Sequence, residues 1–240
     1  ALQSEDAHGL NTAVGMQALN ALNAGANGYN VAMGYQAGFA MNTGVKNTLI
    51  GAAAGDALTT GYYNTAMGYN ALTSSVSGRH ATAFGYQALA NENATNTETY
   101  NVAVGYNAGL SVSTGVGNTL IGGLAGDSIT TGTNNVAIGY LSLRNEDAYG
   151  HNVAVGHGAL MLLDAAADAF NVAIGHEAGK AATTGIENTL IGSLAGDALT
   201  SGSRNTAIGY GALSAEDAHG HNVAVGRNAL LVLNAGADGH

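Results

Sequence analysis

The chain is predicted to be all-β, a parallel β-solenoid (β-roll) of about thirteen turns, and three observations carry that expectation. A short phrase, of which Asn30-Val31-Ala32-Met33-Gly34 is one copy, returns every seventeen to twenty residues along all 240 residues. The intervals between copies run 19, 17, 17, 17, 20, 17, 17, 17, 19, 17, 17, 17, so a 17-residue repeat is nested in a four-turn super-repeat of 70 or 71 residues. The composition is also unusual, with 37 Gly, no Pro, no Cys, no Trp and an apolar fraction of 46% made largely of Ala. Such a chain cannot fill a globular core with large side chains, yet Val, Ile, Leu and Met recur in register, which a disordered chain has no reason to maintain.

Each element of the turn has its own reason. The phrase begins, at what we define as position zero, with Asn11, Asn30, Asn47, Asn64, Ala81, Asn101, Asn118, Asn135, Asn152, Asn171, Asn188, Asn205 and Asn222, Ala81 being the single exception. Stacked one above another, these amides are expected to form an internal ladder. Positions one to three form a short strand whose side chains alternate between two faces. Position three is always Val, Ile, Met or Phe and position one is Thr or Val, so that face is assigned to the inside of the coil. Position two, Ala or Leu, is then assigned to the outside, packed on another chain. At position four stand the turn glycines Gly15, Gly34, Gly51, Gly68, Gly85, Gly105, Gly122, Gly139, Gly156, Gly175, Gly192, Gly209 and Gly226, which end the strand at a bend and let turns approach closely. A second glycine at position fourteen (Gly44, Gly61, Gly78, Gly115, Gly132, Gly185, Gly202) marks the opposite corner. At the usual strand spacing of ~4.8 Å, such a stack makes a rod roughly 60 Å long.

The four turns of a super-repeat differ in character. Asn47, Asn118 and Asn188 open Asn-Thr-Leu-Ile-Gly and continue to Asp56, Asp127 and Asp197. These aspartates lie some 19 Å apart by strand spacing, so they cannot share an ion within one chain and read as turn caps rather than a calcium site. The longer turns carry two or three extra residues in segments 20–29, 90–100, 161–170 and 231–240, and are expected to protrude. Their Asn23, Asn27, Asn93, Asp164, Asp168, Asn234 and Asp238 are the candidate contact-loop residues, because loops on a rigid scaffold vary cheaply, the alternative being that the insertions only fill corners. Leu160-Met161-Leu162-Leu163 is too apolar for water and is expected to be buried between chains. The whole of 1–240 is taken as one continuous solenoid, a slice of a longer array, because residue 1 aligns with Ala212 three super-repeats on.

Charge and motifs exclude several functions. Net charge is −10 and the six Lys and Arg are scattered singly, so no basic stripe for nucleic acid can form. No apolar run is long enough to insert into a membrane, 159–163 being far too short. No catalytic constellation is visible: serines lack a paired His and acid at any repeated spacing, and no Gly-rich phosphate-binding motif occurs. No cofactor is expected. His151, His157, His219 and His221 are close enough in sequence to raise a metal site, but other copies carry Tyr or Gly at those surface positions, and no metal is assigned. Position five carries Tyr35, Tyr69, Tyr86, Tyr106, Tyr140 and Tyr210, a stripe suited to stacking on sugars or to lateral packing against a neighbouring chain.

Asn-Val-Ala-Val-Gly (Asn101–Gly105) and Asn-Thr-Ala-Ile-Gly-Tyr-x-Ala-Leu (Asn205–Leu213) resemble the head repeats of trimeric autotransporter adhesins. The pattern is still more similar to the repeat arrays in tail fibres of bacteriophages and marine viruses, and it covers the full chain. The resemblance implies a left-handed β-roll, a homotrimer and a place outside the cell or on a virion. The expected function is a non-enzymatic structural fibre or shaft for surface attachment, its partners being copies of itself and a cell-surface glycan or protein receptor. A self-assembling extracellular filament or surface-layer protein is the alternative. An ice-binding solenoid is a third, weakened because Thr12, Val31, Thr48, Thr65, Thr82 and Val102 do not make a regular Thr array.

Overall fold

The structure is a computed structural model and describes residues 2–3, 9–215 and 217–232. It is an all-β parallel solenoid of about thirteen turns, with no helix among the described residues. The chain divides into two compact units, Ala1–Asn118 and Thr119–His240. The first holds β1 (Thr12–Val14), β2 (Val31–Met33), β3 (Thr48–Ile50), β4 (Thr65–Met67), β5 (Thr82–Phe84) and β6 (Val102–Val104). The second holds β7 (Thr119–Ile121), β8 (Val136–Ile138), β9 (Val153–Val155), β10 (Val172–Ile174), β11 (Thr189–Ile191), β12 (Thr206–Ile208) and β13 (Val223–Val225). Within each unit consecutive strands pair in parallel at constant repeat register, for example Ala32 opposite Leu49 in the first and Ala173 opposite Leu190 in the second. Each strand begins one residue after its repeat start.

The two faces of the strand are the reverse of the sequence expectation. Position two is the inside: Ala32, Leu49, Ala83, Ala103, Ala137 and Leu190 are fully buried. Positions one and three face outward, with Met33, Phe84, Ile174 and Ile208 exposed. The physical reason is the narrow bore of a 17-residue coil. Opposite position two lie the buried alanines of position seven (Ala37, Ala54, Ala88) and the side chains of positions eight and eleven, leaving room for a methyl and little more.

The exceptions obey the same volume rule. Leu replaces Ala at position two only in Leu49, Leu120 and Leu190, and there position eight is Gly in that turn and the one before. A Cβ added at Gly55 would lie 2.9 Å from Leu49 Cδ2, and one at Gly38 would lie 2.9 Å from Leu49 Cδ1. Everywhere else position eight is Leu, as in the buried Leu72, Leu89, Leu143 and Leu160. The four-turn super-repeat is therefore a packing alternation, in which one leucine at position two fills the space left by glycine at position eight in two successive turns. Position eleven completes the core with Leu22, Met41, Leu58, Ile129 and Leu163. Leu160 and Leu163 are thus buried in their own coil, which corrects the expectation for those two residues, while Leu162 is exposed and Met161 half-buried.

Corners hold an unusual backbone. Position six has φ near +60 whatever its side chain, as at Gln17 (+61), Leu124 (+57) and Glu177 (+55), and the residue preceding position zero does the same at Tyr63 (+59) and Phe170 (+51). Left-handed geometry costs a non-Gly residue roughly 1–2 kcal/mol. It persists because it aims each N–H at the adjacent turn, as in Gln36 N to the Met16 oxygen (3.0 Å) and Glu177 N to the His157 oxygen (2.8 Å). At position four even that is insufficient, since a Cβ on Gly122 would sit 2.7 Å from the Gly139 carbonyl.

Candidate interaction surface

The position-zero asparagines run inside the wall as a ladder. The Asn47 backbone N–H donates to Asn30 Oδ1 (2.9 Å), and Asn64 N–H donates to Asn47 Oδ1 (3.0 Å). The amide nitrogen crosses the turn to a second-corner carbonyl, as in Asn47 Nδ2 to the Gly61 oxygen and Asn188 Nδ2 to the Gly202 oxygen. The second unit repeats the pattern from Asn152 N–H on Asn135 through Asn171, Asn188 and Asn205 to Asn222. Each amide thus ties two turns and two walls together. Ala81 donates its N–H to Asn64 but has no amide to offer the next turn. These residues, and the position-four glycines, are buried or backbone-bound and belong to the scaffold.

What the scaffold presents is the outer strand face. On turn after turn it offers a β-branched or larger apolar residue at positions one and three, and in the turns opening at Asn30, Asn64, Ala81, Asn101, Asn152 and Asn171 an aromatic ring stands to either side. In the first unit, position five stacks Tyr69 on Tyr86 (5.5 Å between centroids) and Tyr86 on Tyr106 (5.4 Å). The residue before position zero forms a parallel stack on the other flank: Tyr63 on His80 (5.2 Å) and His80 on Tyr100 (5.1 Å), with Lys46 Nζ 4.9 Å over the Tyr63 ring. In the second unit, His157 stacks on His176 (5.0 Å) and His151 on Phe170 (5.0 Å). Most of these tyrosines, together with Met33, Phe84, Ile174 and Ile208, are exposed. A sheet face edged by two rows of stacked rings is an extended apolar surface of the kind that marks an interaction site.

The longer turns are exposed as well. Asn23, Asn27, Asn93, Asp164 and Asp168 all reach solvent, while Asn234 and Asp238 lie outside the described residues. The exposed residues remain tied to the scaffold: the N–H groups of Asn23, Asn93 and Asp164 donate to Asn42, Ser113 and Thr183, and Asp168 accepts from Gly150 N–H (3.0 Å). The three super-repeat aspartates differ from one another. Asp56 accepts a hydrogen bond from the Thr73 hydroxyl of the next turn, and Asp127 lies 3.7 Å from Arg144. One buried oxygen of Asp197 makes no hydrogen bond.

Two buried carboxyl groups were hidden from sequence reasoning. Glu92 and Glu146 occupy position eleven, among the apolar core, and both are fully buried. Burial pushes the Glu92 carboxyl up to about 7, against a smaller downward pull from the Thr99 hydroxyl. Burial likewise raises Glu146 to about 7, opposed by the backbone N–H groups of Tyr149 and Ala165. Aligning position eleven across the copies would have exposed them, because every other described occupant except Ser75 is apolar.

Comparison with protein-family models, with curated proteins and with solved structures returns no match.

Proposed function

We propose that the chain is a non-enzymatic structural module of an extracellular or virion fibre, homotrimeric, of the phage tail-fibre or adhesin-shaft type, serving reach and surface attachment. The observation that carries this reading is the outer strand face. A residue such as Phe84 has no reason to point away from the core on turn after turn unless something covers it, and the least demanding cover for a periodic face is the same face of another copy. Stacked rings beside it add lateral contact area with little conformational freedom to lose. The receptor side of the function falls to the exposed long turns, where a glycan or protein would meet Asn23, Asn93 or Asp164. The acidic surplus of −10 keeps such an assembly soluble and away from nucleic acid.

Light scattering during size-exclusion chromatography tests the reading. A sharp mass three times that of the 23.7 kDa chain is expected. A monomer would overturn self-association and return attention to single-chain solenoids, ice binders included, for which thermal hysteresis is the check. Open-ended polymers would favour the filament or surface-layer alternative.

A further inference from the structure

His157 and His176 occupy position five on consecutive turns of the second unit, at the end of the paired strands β9 and β10. The strand register places Val155 opposite Ile174, and the bends at Gly156 and Gly175 carry the two imidazoles outward together, their rings 5.0 Å apart and inclined by 11°. Glu177 follows His176, and its N–H donates to the His157 carbonyl (2.8 Å), which locks this residue against the His157 turn. One ligand atom from each of His157, His176 and Glu177 lies within 4.8 Å of the other two. Elsewhere position five holds Tyr, a small residue, Met16 or Arg227, none of which supplies such a donor pair beside a carboxylate.

We propose that His157, His176 and Glu177 form a binding site for a borderline divalent transition-metal ion, zinc being the representative case. Two neutral imidazoles and one carboxylate are a donor set that suits zinc, nickel or copper, whereas calcium and magnesium call for oxygen cages. Tetrahedral ligands at zinc bond lengths stand about 3.4 Å apart, so the ligand atoms need to close by little more than about an ångström. Three protein ligands leave a fourth position to water. Lys180 donates to Glu177 Oε1 (2.9 Å) and holds the carboxylate in place beside the rings; a carboxylate has a second oxygen to offer the ion. All three ligands come from one chain.

Isothermal calorimetry of the full chain with zinc chloride at neutral pH tests the proposal, alongside cobalt(II) absorption in the visible range as a reporter of coordination geometry. The expected result is saturable binding of one ion per chain with tetrahedral cobalt bands. Both signals should weaken by at least ~10-fold in each of His157→Ala, His176→Ala and Glu177→Gln, since loss of a direct ligand costs no less than loss of its supporting shell. These are surface substitutions, and unchanged circular dichroism will show that the coil is intact. His151→Ala, which alters the flanking aromatic row, should leave binding unchanged. Absence of saturable binding in the wild type, or binding retained in the His157→Ala/His176→Ala double variant, would overturn the assignment.

Discussion

The turn that opens at Asn47 and the turn that opens at Ala81 lie in the same unit and share the strand and the first corner, the second turn being three residues longer beyond it, yet they are filled differently. The first has a ladder amide, Leu49 and Leu58 in the bore, and Gly55 making room for both. The second has no ladder amide, Ala83 and Leu89 in the bore, and a carboxyl, Glu92, where the first has Leu58. Neither oxygen of Glu92 makes a hydrogen bond of good geometry. The path of the strand and first corner is therefore set by the position-four glycine and the corner hydrogen bonds, which both turns keep. Stability is set by the amide and the fill, which they do not share, and the Ala81 turn should be the first to open.

The largest effect should fall on what the two turns share. Gly51→Ala and Gly85→Ala each place a Cβ against the carbonyl of the glycine one turn on, at φ of +135 and +138. Each should cost about 4 kcal/mol or abolish cooperative unfolding, with equal effect in the two turns, as read by urea denaturation.

Next comes the difference itself. A carboxyl held neutral by burial has a folded-state value of about 7 against an ordinary 4.5, so its contribution is complete below about 4.5 and is lost as pH rises through about 7. Glu92 and Glu146 should each make the fold less stable at pH 8 than at pH 5 by roughly 3 kcal/mol. Glu92→Leu should remove its share of that dependence and make the Ala81 turn behave like the Asn47 turn, which thermal melts at the two pH values will show.

Smaller effects sharpen the comparison. Asn47→Ala strands the Gly61 carbonyl and the Asn64 N–H and should cost about 2 kcal/mol, while Ala81→Asn should add about 1 kcal/mol by continuing the ladder. Thr73→Val, which removes only the part-buried hydroxyl on Asp56, should cost about 0.5 kcal/mol by the same chemical denaturation.

The period made the turns legible: every strand begins where the repeat start places it, because a ladder of identical amides tolerates no slip. The faces were not legible. Side-chain size argued that Ile50 or Met67 should be inside and Ala66 outside, as in a sheet packed on a wide core. In a bore this narrow size works the other way, and the tell-tale was the pairing of Leu49 with Gly55 and Gly38. The exposed long-turn residues could be read directly from the inserted lengths. The cluster of His157, His176 and Glu177 could not, because His157 and His176 are 19 residues apart and meet only once the register is known.

The outer strand face is the centre of the functional account, and hydroxyl-radical footprinting of the assembled protein tests it most directly. Met33, Phe84 and Tyr86, exposed on the single chain, should be protected in the assembly and become reactive when it is dissociated by dilution, while Tyr149 at the second corner reacts in both states. Oxidation of Met33, Phe84 and Tyr86 at the same rate before and after dissociation would contradict it.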